Sequence, residues 1–165
     1  MTYYLLLGGN LGNRLDNLAT ARQQLAAQLG RVVAQSAIYE TAAWGATEAD
    51  PQPDYLNQAI AVQCNLAPAA ALAKILEIET GMGRVRNAEQ PYMARSIDID
   101  IMLIDEKIIN LPNLTVPHPR LQDRNFALIP LMEIAGELLH PVLELTIDEL
   151  YEKCADDLEV YTIDD

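Results

Sequence analysis

Apolar and polar positions follow two periods that alternate along the chain. Tyr3–Gly8 is a short apolar run rich in Tyr and Leu, and it predicts a strand closed by a turn at Gly8-Gly9-Asn10. From Asn13 to Leu29 the residues Leu15, Leu18, Ala21, Leu25 and Leu29 recur at helical spacing, with Gly30 as the stop. Arg31–Tyr39 predicts a second strand, Thr41–Asp54 a loop holding Gly45, Pro51 and Pro53, and Tyr55–Cys64 a third strand. Pro68 suits the first turn of a second helix, in which Leu72, Ile75 and Leu76 make an apolar stripe before Gly81. Met82–Ala94 has no period and reads as a loop.

Ser96–Ile104 alternates strictly. Ile97, Ile99, Ile101 and Leu103 take one face; Ser96, Asp98, Asp100 and Met102 take the other. Strand, helix, strand, strand, helix, strand is the split βαβ order, so the expected fold class is α+β: a ferredoxin-like βαββαβ core with an antiparallel sheet and helices packed on it. Thr115–Leu121, a helical stretch around Phe126–Ile134 and a final helix follow as a C-terminal elaboration. Thr146-Ile-Asp-Glu149 is a capping box for that last helix. The 165 residues are expected to form one domain, with its core at about 3–135 and an acidic C-terminal segment at 144–165.

Charge narrows the function classes. The chain carries 11 Lys+Arg against 24 Asp+Glu, a net −13, which opposes sequence-independent binding of nucleic acid and docking on anionic membrane. The segment from Glu144 onward holds nine acids and one lysine and reads as a solvated face. Cys64 and Cys154 lie far apart with no metal-ligand spacing, and Met1–Gly8 has no basic leader, so the expected location is the cytoplasm, with reduced thiols. The longest uncharged stretch, Tyr55–Ala73, is interrupted by Asn57, Gln58, Gln63, Asn65 and Pro68 and predicts no membrane span. No long apolar stripe is left over after packing, so a monomer is expected.

Asp98-Ile-Asp100 carries the strongest chemical signal. Residues i and i+2 of a strand share a side, which sets the two carboxylates about 6.6 Å apart at their Cα atoms. Such a hard-oxygen pair suits Mg²⁺ completed by phosphates and water; the alternative is two ordinary acids on a solvated strand. Arg84 and Arg86 open the preceding loop and Arg95 closes it, so both signs of charge come within reach of one nucleotide. No P-loop, GxSxG elbow or Rossmann fingerprint occurs, and two histidines exclude a His-rich metal site. His118, between Pro117 and Pro119 and ahead of Arg120 and Arg124, is a candidate phosphate contact, whereas His140 reads as structural. Tyr55 and Phe126 could pack in the core or sandwich a flat heterocycle, with Asn57 on Tyr55's strand face meeting its edge.

Taken in order, Gly8-Gly-Asn-Leu-Gly12, Tyr39-Glu-Thr41 with Trp44-Gly45, Pro53-Asp-Tyr-Leu-Asn57, Ile78-Glu79 with Gly83-Arg-Val-Arg86, Arg95-Ser-Ile-Asp-Ile-Asp100, and Val116-Pro-His-Pro-Arg120 with Arg124 and Phe126 resemble the 6-hydroxymethyl-7,8-dihydropterin pyrophosphokinases of folate biosynthesis. The resemblance runs from about residue 3 to 135. It implies transfer of pyrophosphate from ATP to the pterin hydroxymethyl group, giving AMP, on a ferredoxin-like fold. It also implies two Mg²⁺ at Asp98 and Asp100, with Arg84 and Arg95 catalytic beside them. Tyr55, Phe126, Asn57 and the Thr41, Ala42 and Trp44 stretch would hold the pterin. Glu79, Arg84, Arg86, Tyr92, Arg95, Thr115, His118 and Arg124 would form the ATP site.

Three departures stand out. Gly9 replaces a usual Ser, Ala42-Ala43 replaces a proline pair, and Tyr92-Met93-Ala94 stands where Trp-Gly-Pro is usual; the last should alter how that loop closes. A non-catalytic ferredoxin-like small-molecule-binding module is the alternative reading, and it predicts no Mg²⁺ dependence and no AMP. An RNA-binding domain on the same fold is opposed by the charge and by the lack of an aromatic RNP-type strand.

Overall fold

The computed structural model describes residues 1–43, 47–83 and 96–163. One antiparallel sheet organises them. Its strands are β1 (Thr2–Gly9), β2 (Arg31–Gln35), β3 (Ile38–Thr41), β4 (Tyr55–Gln63), β5 (Asp98–Ile104) and β10 (Val160–Ile163), in the order β10-β3-β4-β1-β5 with β2 also on β4. Helices α1 (Arg14–Gln28) and α2 (Pro68–Gly81) supply the two crossovers, so the expected ferredoxin-like order is present. Two small hairpins, β6 (Ile109–Leu111) with β7 (Leu114–Val116) and β8 (Leu139–His140) with β9 (Leu145–Thr146), and helices α3 (Asn125–Ala135) and α4 (Ile147–Lys153) complete the described fold.

Both helix starts follow from their caps. Asn13 Oδ1 accepts from Asp16 N at 3.1 Å at the head of α1, and Pro68 opens α2, where its missing N–H costs nothing. Leu18, Ala21 and Leu25 of α1 pack with Ala71, Ile75 and Ile78 of α2 on one face of the sheet, against Tyr3, Leu5, Leu7, Ile60 and Ile99. Burying each such Leu or Ile contributes about 1.5–3 kcal/mol.

Two boundaries and the face of one residue differ from the pattern reading. The single strand expected over Arg31–Tyr39 is two strands, because the ladder breaks at Ser36-Ala37. There Ser36 Oγ accepts from Ala59 N at 3.0 Å in place of a backbone carbonyl, and Ala37 N turns away to Glu133 Oε2 of α3 at 3.0 Å. The turn expected at Gly8-Gly9-Asn10 begins later, since Gly8 and Gly9 stay in β1, paired with Asn57 and Leu56. Leu103 lies on the opposite face from Ile99 and Ile101. The pairing of β1 with β5 shifts register between Tyr4 and Leu5, and that irregularity inverts the alternation after Met102.

The second face of the sheet is therefore apolar too. Leu6, Ala59, Met102 and Leu103 pack under Ala127, Leu128 and Leu131 of α3 and Ile147 and Leu150 of α4. The capping box at Thr146 and Glu149 is formed as the sequence indicated. The acidic C-terminal segment is more than a solvated face: Ile147 and Leu150 are buried, and β10 extends the sheet by pairing with β3.

Candidate active site

The helix α3 covers only part of the second sheet face. Beyond its N-terminus the sheet lies open, and one row of residues crosses it: Asp98 on β5, Gly8 on β1, Asn57 on β4 and Tyr39 on β3 are successive cross-strand partners. One row nearer the core stand Asp100, Leu6 and Ala59. Strands lie about 4.8 Å apart, so Asp98 and Asn57 mark the two sides of a cleft about 10 Å wide. Tyr55, two residues before Asn57 and on its side of β4, pairs with Thr41 and extends the wall.

These residues enclose a cavity of about 180 Å³. Its floor is Leu6 and Gly8, one wall is Thr41, Ala42, Ala43, Tyr55 and Asn57, the other is Asp98 and Asp100, and Arg124 and Phe126 stand at its edge from the head of α3. Asn57 is buried and donates from Nδ2 to Thr41 Oγ1 at 3.5 Å. The Arg124 guanidinium lies over the Phe126 ring, 5.5 Å from its centroid.

His118 belongs to the same electrostatic neighbourhood. Burial lowers its pKa from the ordinary 6.5, the charges of Arg124 and Arg120 lower it further, and Asp98 pulls the other way. Its Nδ1 accepts from Arg120 N at 3.2 Å, which puts the ring proton on Nε2 as a donor.

Eight of the residues singled out in the sequence thus meet in one cleft: Thr41, Ala42, Tyr55, Asn57, Asp98, Asp100, Arg124 and Phe126. Three others lie off its lining: His118, described above, Glu79 and Thr115. Glu79 is buried below β5, where its Oε2 accepts from Ile99 N at 2.8 Å, between the two aspartates. Thr115 is on the exposed side of β7. Trp44, Arg84, Arg86, Tyr92 and Arg95 fall outside the described residues.

Leu6 and Asn10 carry no site assignment from the sequence pattern, and the pattern places Gly8 in a turn; Ala43 lines the cleft within the Thr41–Trp44 stretch. Asn10 is buried and ties the first loop to the second, donating from Nδ2 to Pro53 O at 3.0 Å. A polar residue directly after two glycines was its one signal. The donor chemistry also bears on metal. Among the described residues no group of three or more His, Cys, Asp or Glu is placed to hold an ion, so Asp98 and Asp100 would need oxygens from a ligand or water. That shortfall fits Mg²⁺, which keeps waters and takes phosphate oxygens beside one or two carboxylates.

Fold and cleft together define a class: a ferredoxin-like α+β protein whose cleft is lined by paired acids, a cation and two aromatic side chains. A family model, 7,8-dihydro-6-hydroxymethylpterin-pyrophosphokinase (HPPK), matches residues 4–136. The chain belongs to that family. It is 42% identical over 137 residues to the 2-amino-4-hydroxy-6-hydroxymethyldihydropteridine pyrophosphokinase of Methylorubrum extorquens, covering 82% of this chain and 84% of that one. To the Synechocystis protein of the same name it is 37% identical over 148 residues, covering 89% and 73%. The folic acid synthesis protein fol1 of Pneumocystis carinii is 37% identical over 153 residues, and there the match spans 93% of this chain but 20% of that longer protein. Among solved structures, wild-type Plasmodium falciparum HPPK-DHPS superposes with a TM-score of 0.71 at 18% identity, over 92% of this chain and 44% of that one, a likeness of fold.

Proposed function

We propose that the cleft holds 6-hydroxymethyl-7,8-dihydropterin beside ATP, and that the chain transfers the terminal pyrophosphate of ATP to the pterin hydroxymethyl group in folate biosynthesis. Membership of the pyrophosphokinase family supports the reaction and the ATP co-substrate. One observation carries the residue-level reading: Tyr55 and Phe126 share a cleft with Asp98, Asp100 and Arg124.

In this reading the pterin ring lies between Tyr55 and Phe126, and the Asn57 amide, with Thr41, Ala42 and Trp44, meets its edge, since an amide both donates and accepts. Glu79, Arg84, Arg86, Tyr92, Arg95, Thr115, His118 and Arg124 serve ATP. The hydroxymethyl oxygen attacks the β-phosphorus, the bond from that phosphorus to the oxygen bridging it to the α-phosphorus breaks, AMP leaves with that electron pair, and the hydroxyl proton passes to solvent. No covalent bond to the chain forms, so its own contribution is positioning and electrostatics. Arg124, with Arg84 and Arg95, offsets charge on the transferring group, and His118 offers Nε2–H to a phosphate oxygen. Asp98 and Asp100 would hold Mg²⁺, two ions in the full reading, which when bound neutralise and orient phosphate oxygens.

The same reading takes residues 1–165 as one unit, a cytoplasmic monomer with no nucleic-acid partner. The net charge of −13 supports the last point. Among the described residues no helix is long and apolar enough to cross a membrane. The decisive assay supplies ATP, Mg²⁺ and the dihydropterin and measures AMP. Release of AMP only when the pterin is present is the expected outcome; pterin binding without AMP would leave a binding module and overturn the transfer.

A further inference from the structure

Helix α3 presents Arg124 and Phe126 to the cleft from its first turn, where the Arg124 carbonyl accepts from Ala127 N and Leu128 N, both at 3.1 Å. Arg124 is the N-cap residue and makes no side-chain cap. Pro130 inside the helix has no N–H to give the carbonyl of Phe126, four residues earlier. A second hold comes from far along the chain. Asn125, between the two cleft residues, donates its backbone N–H to Asp156 Oδ2 at 2.9 Å and its Nδ2 to the Asp156 carbonyl at 2.8 Å. The other carboxylate oxygen of Asp156 accepts from Leu158 N at 3.0 Å, which turns the chain toward β10. In β10, Val160 pairs with Thr41, on one wall of the cleft.

The geometry points to residues 156–163 as a strap that sets the distance between the head of α3, at the edge of the cleft, and the wall that carries Thr41, and to Asp156 as the positioning residue through which it holds Phe126. A carboxylate at a helix N-terminus is a strong cap, because it accepts an orphan N–H and opposes the helix dipole. The strap lies beyond residues 4–136, the span of the family match, so the pterin site of this chain is completed by residues outside that match. This inference rests on the pterin-site reading above.

The test is a double-mutant cycle on pterin binding, measured by calorimetry on the full chain. Asp156→Ala is expected to weaken binding of 6-hydroxymethyl-7,8-dihydropterin about tenfold, the scale of one lost charge-assisted hydrogen bond. In a Phe126→Ala background the same change is expected to cost less than about twofold, because the group being positioned is gone. Asp156→Asn keeps one acceptor oxygen and is expected to fall between; it carries the cycle if the alanine variant does not fold. An equal factor in both backgrounds, or no loss in the wild-type background, overturns the strap. Failure of the unaltered chain to bind the pterin overturns the site reading instead, so the two failures are distinct.

Discussion

A Cβ on residue 8 would lie 2.8 Å from Oδ1 of Asn57. Gly8 and Asn57 are cross-strand partners, and the contact is close because Gly8 forms the floor under the Asn57 amide. The glycine is there for space: the site needs a backbone with nothing above it. Gly8→Ala should push the Asn57 amide off Thr41 and into the space proposed for the pterin. Pterin affinity is expected to fall at least about tenfold, while affinity for a non-hydrolysable ATP analogue stays within about twofold. Calorimetry with each ligand reads the difference, and equal losses for both would remove Asn57 from pterin recognition.

Asp98→Asn and Asp100→Asn keep the shape of the strand and remove one charge each. AMP formation is expected to drop by about 10²-fold or more in either variant, the scale of deleting one preorganised electrostatic group. Near-normal turnover in either variant would sink their assignment to the divalent cation.

Glu79 accepts from the backbone between those aspartates, and β5 ends the sheet order, so its carboxylate supplies a partner the sheet does not. Glu79→Ala leaves the buried Ile99 N–H without that acceptor, at a cost of about 1–3 kcal/mol. A fall of roughly 2–10 °C in thermal midpoint follows for a chain of this size. Glu79→Gln retains an oxygen and is expected to recover part of the midpoint. A glutamine variant no better than alanine would show that the charge, rather than the hydrogen bond, is what β5 requires.

His140 is buried, and its Nδ1 accepts from Val142 N at 3.2 Å and Leu143 N at 3.0 Å. Both bonds need the neutral ring, and burial lowers its pKa from 6.5. The unfolded chain then takes up the proton first as pH falls. The contribution of His140 is complete above pH 6.5 and is lost as pH drops through the lower folded pKa. Thermal midpoints measured between about pH 7 and 5.5 should decline, by at most about 1.4 kcal/mol per pH unit from this group. His118 has the same sign. His140→Ala should be less stable above that range and show a flatter profile; an unchanged slope would assign the decline elsewhere.

Where a segment's burial follows its own period, its structure was legible. The helices at Asn13–Leu29 and from Pro68, the strands at Tyr55–Cys64 and Ser96–Ile104 and the capping box at Thr146 fall close to where local pattern and capping chemistry put them. The break at Ser36 was not legible, because it depends on Glu133, nearly a hundred residues later, drawing Ala37 out of the ladder. The face of Leu103 was misread for a similar reason. A register irregularity is a relation between two strands, and the alternation of one strand does not record it.

On its own, then, the sequence determined the order of elements and the kinds of chemistry present, since periods of two and 3.6, caps and spacings are properties of neighbours along the chain. Tertiary structure alone decided which of those groups meet. It placed Tyr55 and Phe126 at one cleft, set a glycine beneath Asn57, and brought Asp156 from far downstream to the head of α3. Those are juxtapositions of distant segments, settled by how sheet and helices pack, and local pattern holds no record of them.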